Sequence, residues 1–181
     1  MSPKTAVLVI DVQDSFFHRP YYEADQLPVF QEKLTKLLAG AASKNIPILH
    51  VFHVESEGHF SIESGLVKPM DWLPDNAAAV FYKHVHNAFT ETRLQAWLIQ
   101  EGITRLVITG IRTEQCCETT TRVACDLGFE VLFASEATMT FSMAHANGRV
   151  YRPSEIRERT ELVLDGRFAQ VVTVEETLAM L

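Results

Sequence analysis

Ala6-Val7-Leu8-Val9-Ile10 is apolar at every position, the pattern of a strand covered on both faces, and it stops abruptly at Asp11-Val12-Gln13-Asp14. Runs of the same kind recur at Ile46 to His53, Ala78 to Tyr82, Arg105 to Thr109, Glu130 to Ala134 and Phe168 to Thr173. Between them the apolar residues shift to helical spacing. From Leu27 to Lys44, the positions Val29, Phe30, Leu34, Leu37, Leu38 and Ala41 form one stripe, with Pro28 in the first turn and Asn45 closing the segment. Helices are also predicted from about Glu91 to Gln100, from about Glu114 to Leu127 with Thr113 as cap, from Arg152 to Leu164, and over Val174 to Leu181. Alternation of strand and helix demands crossover connections. The expected fold is α/β: a three-layer α/β/α sandwich on a mostly parallel, Rossmann-like central sheet, as a single domain over residues 1–181. Val54 to Asn76 and Phe141 to Arg149 show neither period and read as long loops, which in compact domains tend to be functional.

Composition removes several classes of function. The net charge of −7 comes with no Lys/Arg cluster, so no nucleic-acid partner is expected. The apolar runs are too short to span a bilayer and the start of the chain lacks a long apolar segment, so no membrane partner is expected either. Three cysteines, two of them adjacent, do not make a disulfide framework, which fits a cytoplasmic location.

Candidate chemistry follows from where the strands end. In open parallel sheets, ligands bind beyond the carboxyl ends of the strands, and Asp11, Lys83 and Cys116 fall there on three different strands. Each residue alone also reads as a loop carboxylate, a solvated lysine or a small buried thiol. Together they form a nucleophilic site. With Thr113 as cap, Cys116 would sit at the third helical position, where free N–H groups and the helix dipole favour a low-pKa thiolate. Cys117 would point roughly 100° away on the same helix and is assigned to the core.

The strand ending Val9-Ile10-Asp11-Val12-Gln13, Lys83 ahead of Asn87-Ala88-Phe89, and Gly110-Ile111-Arg112-Thr113-Glu114-Gln115-Cys116 followed by Thr120, Ala124, Gly128 and Phe129 resemble the isochorismatase-like cysteine hydrolases. That family includes nicotinamidases and N-carbamoylsarcosine amidases. The resemblance implies an Asp11-Lys83-Cys116 triad, a cis peptide at Ile111-Arg112, and an oxyanion hole of the Arg112 and Cys116 backbone N–H groups. It also implies cleavage of a C–N bond in a small amide, carbamoyl or ureide substrate through a thioester. A vinyl-ether-cleaving isochorismatase is disfavoured by the presence of Cys116, and a catalytically idle binding member by the intact triad.

Two features of the site are less determined. Nicotinamidases of the family carry an Asp-x-His pair and a further His; His53 and His59 match the histidines, but Val51 replaces the aspartate. No cofactor is therefore favoured, with zinc or iron on His53 and His59 as the alternative. Phe16, Phe17, Phe60 and Trp72 could wall the substrate pocket, with Glu114, Arg112 and His145 as polar contacts. The resemblance further implies a homo-oligomer, a dimer or larger.

Overall fold

The computed structural model describes residues 3–181. In chain order the elements are β1 (Thr5–Ile10), α1 (Leu27–Ser43), β2 (Ile48–His53), β3 (Ala79–Lys83), α2 (Leu94–Gln100), β4 (Arg105–Ile111), α3 (Glu118–Asp126), β5 (Glu130–Met139), β6 (Met143–Ala144), β7 (Val150–Tyr151), α4 (Pro153–Leu164), β8 (Gln170–Val172) and α5 (Val174–Met180). Every residue of β1 is buried, because a strand without a polar face can be housed only between two layers. It lies inside a six-stranded sheet of order β3-β2-β1-β4-β5-β8 in which every pair is parallel.

The alternation of side chains along β1 divides the core. Val7 and Val9 pack with Phe30, Leu34, Leu37 and Leu38 of α1 and Val174 of α5. Ala6, Leu8 and Ile10 face Leu94 and Leu98 of α2, Ala124 of α3 and Leu164 of α4. Helices thus cover both faces, giving the expected α/β/α layers. Each fully buried aliphatic or aromatic side chain here contributes on the order of 1.5–3 kcal/mol. The chain runs from β1 outward to β2 and β3, then crosses back to β4 on the other side of β1. That reversal opens a crevice beyond the carboxyl ends of β1 and β4.

Several boundaries differ from the sequence pattern, each for a local reason. The second strand begins at Ile48, since Pro47 has no N–H for the ladder; the Pro47 carbonyl instead accepts from Val7 N at 2.9 Å. The helix expected from Glu91 starts only at Leu94, because the Asn87 carboxamide first turns the chain by accepting from the N–H groups of Phe89 and Thr90. β4 continues through Gly110 to Ile111 and carries β5 with it to Met139, past a register shift. The segment read as an irregular loop from Phe141 contains the antiparallel pair β6–β7.

The largest correction concerns the expected helix from Glu114. Its start is a single π turn, Thr113–Cys117, and regular α-helix begins at Glu118. Thr113 does not cap it; its hydroxyl donates to Thr138 Oγ1 at 2.9 Å. The Arg112 carbonyl takes over, accepting from the N–H groups of Gln115 and Cys117, both at 3.2 Å.

Candidate active site

β1, β3 and β4 deliver their last residues to one point. Asp11 follows β1 directly, in a left-handed conformation with φ 54°, which aspartate tolerates better than most residues and which turns its carboxylate away from the strand line. β4 reaches the same level only because residue 110 is glycine: a Cβ there would lie 2.0 Å from the Ile10 carbonyl oxygen, and φ is 122°. The Ile111-Arg112 peptide is cis, as the resemblance implied, and the π turn after it carries Cys116.

Lys83 ends β3, which is separated from β1 by β2, so its side chain must reach across a strand. Its ammonium donates to Asp11 Oδ2 at 2.8 Å, to Cys116 Sγ at 3.4 Å and to His53 Nδ1 at 3.2 Å. An ammonium has three donors and no acceptor, so all three are used. Lys83 is fully buried and Asp11 nearly so. Burial alone would lower the lysine, but Asp11 and the Cys116 sulfur together hold it above its ordinary value, and it is cationic. Asp11 Oδ1 has no hydrogen-bond partner and is the carboxylate acceptor left open.

The thiol does not behave as the sequence led us to expect. Burial, followed by the Asp11 carboxylate, holds Cys116 well above the usual thiol range, against the opposing pull of Lys83. The resting group is a protonated thiol rather than a low-pKa thiolate, because a helix terminus cannot offset a buried position beside a carboxylate. Cys117 is also buried, and its Sγ lies 3.7 Å from the Thr109 carbonyl, toward the sheet. Burial pushes this thiol up too.

A cavity of about 80 Å³ opens above Cys116, lined by Asp11, Phe16, Arg19, Tyr21, His53, Glu55, Phe60, His86, Arg112 and Gln115 as well. Phe16 and Phe60 are thus placed as expected, meeting edge to face with centroids 5.1 Å apart. Two other expected wall residues are not. Phe17 is half-exposed and packs on Tyr22, while Trp72 is partly buried and packs edge to face on Phe30 of α1 at the margin of the core. Glu114 stands behind the cavity: one oxygen accepts from Thr140 Oγ1 at 2.5 Å and the other lies 3.0 Å from Arg112 Nη2. His145 lies elsewhere, in a separate groove between the β6–β7 hairpin and α4. Arg19, Tyr21, His86 and Gln115 were not anticipated; only Tyr21, within an aromatic stretch, left any signal.

The sequence model of the Isochorismatase domain matches residues 5–175. The chain belongs to the isochorismatase family. It is a hydrolase of that family. Among isochorismatase-family relatives, an uncharacterized protein, YrdC of Bacillus subtilis strain 168, is 30% identical over 98% of this chain and 96% of its own length. Nicotinamidase 3 of Arabidopsis thaliana is 35% identical over 52% of this chain and 42% of its own. A crystal structure of a Burkholderia xenovorans LB400 protein, assigned as an isochorismatase, superposes with a TM-score of 0.89. It is 26% identical and covers 99% of this chain and 88% of that one.

The metal ligands carried by nicotinamidases of the isochorismatase family find no counterpart arrangement here. His53 Nδ1 is taken by the Lys83 ammonium, and the ring is held neutral, with its pKa lowered to about 4 by burial and then by the Lys83 charge. His59 stacks on His18 with centroids 4.8 Å apart, and Glu55 pairs with Arg19. Val51 is a core residue of β2. Among the described residues no three His, Cys, Asp or Glu side chains gather as a metal would require. The groups present do not fit a metal centre, and no step is assigned to one.

Proposed function

We propose that this protein hydrolyses the C–N bond of a small amide, carbamoyl compound or ureide by covalent catalysis at Cys116. The observation that supports it most is the fully buried Lys83 ammonium, bonded at once to Asp11 Oδ2 and Cys116 Sγ. A lysine with all its donors committed cannot serve as a nucleophile itself; it fixes a carboxylate and a thiol against each other.

Asp11 Oδ1 takes the thiol proton as Sγ bonds to the substrate carbonyl carbon. The carbonyl electrons move to oxygen, and the N–H groups of Arg112 and Cys116 stabilise the oxyanion. Collapse breaks the C–N bond, and the nitrogen leaves with the proton held by Asp11. Asp11 then removes a proton from water as its oxygen attacks the thioester; the acid departs and the thiol is restored. The cavity volume suits a small acyl portion. Two buried guanidinium nitrogens without acceptors, Arg112 Nε and Arg19 Nε, favour substrates rich in acceptor oxygens.

Ammonia release over a panel of small amides and ureides tests the reading. Wild type should turn over at least one of them, Cys117→Ala should retain most of that rate, and Cys116→Ala should retain none. Equal loss from both cysteine variants would mean that the wrong thiol was chosen. Silence across the panel, with hydrolysis of a vinyl ether instead, would favour the isochorismatase-type reaction.

A further inference from the structure

The residue that brings Lys83 to the site is not accounted for by the triad. Lys83 and His53 are register partners on β3 and β2, so the imidazole stands beside the lysine where its side chain crosses toward Asp11. His53 is itself held from two directions. Its main-chain N–H donates to Gln13 Oε1 at 2.8 Å and its main-chain carbonyl accepts from Gln13 Nε2 at 3.0 Å, with Gln13 fully buried beyond the end of β1. Val54 N donates to the Lys83 carbonyl at 2.9 Å, locking the two strand ends together.

We infer that His53 is a positioning residue for Lys83: its unprotonated Nδ1 is the third acceptor that fixes the ammonium between Asp11 and Cys116. The inference rests on the proposed role of Cys116 as nucleophile. Because a lysine can only donate, Nδ1 must carry the lone pair, and the ring proton sits on Nε2. Nε2 lies 3.8 Å from Glu55 Oε1. The other charged or titratable groups around the ring are Asp11, His86 and Arg19; of these Asp11 favours ring protonation, and His86, Arg19 and Lys83 oppose it. Without His53, one buried ammonium hydrogen would lose its acceptor, and Lys83 could relieve that only by leaving Asp11 or Cys116. The same nitrogen that could ligate a metal here serves an ammonium.

The rate of Cys116 alkylation by iodoacetamide, resolved by peptide mass spectrometry, reads this geometry without a known substrate. His53→Leu should slow it at least about tenfold, because a displaced Lys83 no longer assists sulfur ionisation. His53→Asn, whose amide oxygen can stand near the Nδ1 position, should recover to within about threefold of wild type. In a Lys83→Met background, His53→Leu should add no further loss. Should His53→Leu fail to fold, nitrogen-15 spectra of the wild-type ring decide the matter: Nδ1 bare and Nε2 protonated at neutral pH. An Nδ1–H tautomer, or labelling unchanged in folded His53→Leu, overturns the inference while leaving Cys116 as nucleophile. Turnover of an amide or ureide that survives Cys116→Ala overturns both.

Discussion

At the strand ends, Asp11, Lys83 and Cys116 are enclosed by neighbours from three strands. The rim around them, residues 13–22 and 54–65, is instead loop and short 3-10 turn. Each region holds an ion pair. Lys83–Asp11 is sealed from solvent, whereas Arg19–Glu55 remains partly wet. A sealed charge that loses its partner keeps its desolvation cost with nothing against it, while a wet one is solvated again. Sequence determines the two regions differently: the inner one follows from where strands stop, the outer one from how loops happen to fold over it.

The largest expected effect comes from breaking the inner region. Lys83→Met should leave the Asp11 carboxylate buried and unpaired, costing about 3–5 kcal/mol in urea unfolding. Turnover in the ammonia assay should fall by a factor on the order of 10³ or more. Gly110→Ala comes next. Its new Cβ would meet the Ile10 carbonyl oxygen at 2.0 Å in a conformation reserved for glycine, so a loss of about 2–4 kcal/mol is expected by thermal or chemical unfolding.

Acid should reveal the inner region too. The pKa of His53 is depressed to about 4 in the folded chain, so its neutral form contributes stability that is complete above about pH 6.5 and lost as pH falls toward 4. Allowing for the solvent that reaches the ring, the loss is about 2 kcal/mol, and His53→Asn should flatten it in unfolding curves at pH 7 and 4.5. The sign reverses for the two thiols. With folded values raised, Cys116 and Cys117 contribute stability that is present below the usual thiol range and lost as pH rises through it. The smallest effect belongs to the rim: Glu55→Gln should change stability by less than about 1 kcal/mol. A loss as large as that from Lys83→Met would erase the distinction between the two regions.

The same distinction explains what was legible in the chain. Asp11, Lys83 and Cys116 could be placed because apolar runs such as Ala6 to Ile10 fix a strand, and a strand fixes where its next residue lies. The π turn was not legible: Thr113, which local pattern offers as a helix cap, instead pairs its hydroxyl with Thr138, distant in sequence. Phe16 and Trp72 sit in similar aromatic, irregular stretches, yet one lines the cavity and the other packs on α1. Nothing in local pattern separates them, because the choice is made by which layer each loop folds against. For His53 the sequence offered metal ligation with His59 only as an alternative, and its actual neighbour was hidden for a different reason: only the register of β2 with β3 shows that it is a lysine.

The most direct test of the account is to trap the covalent intermediate. With the amide or ureide that releases ammonia fastest, an acid quench during turnover followed by peptide mapping should find the acyl group on Cys116 and none on Cys117. An acyl group on Cys117, or turnover that survives Cys116→Ala with no adduct on any cysteine, would contradict it.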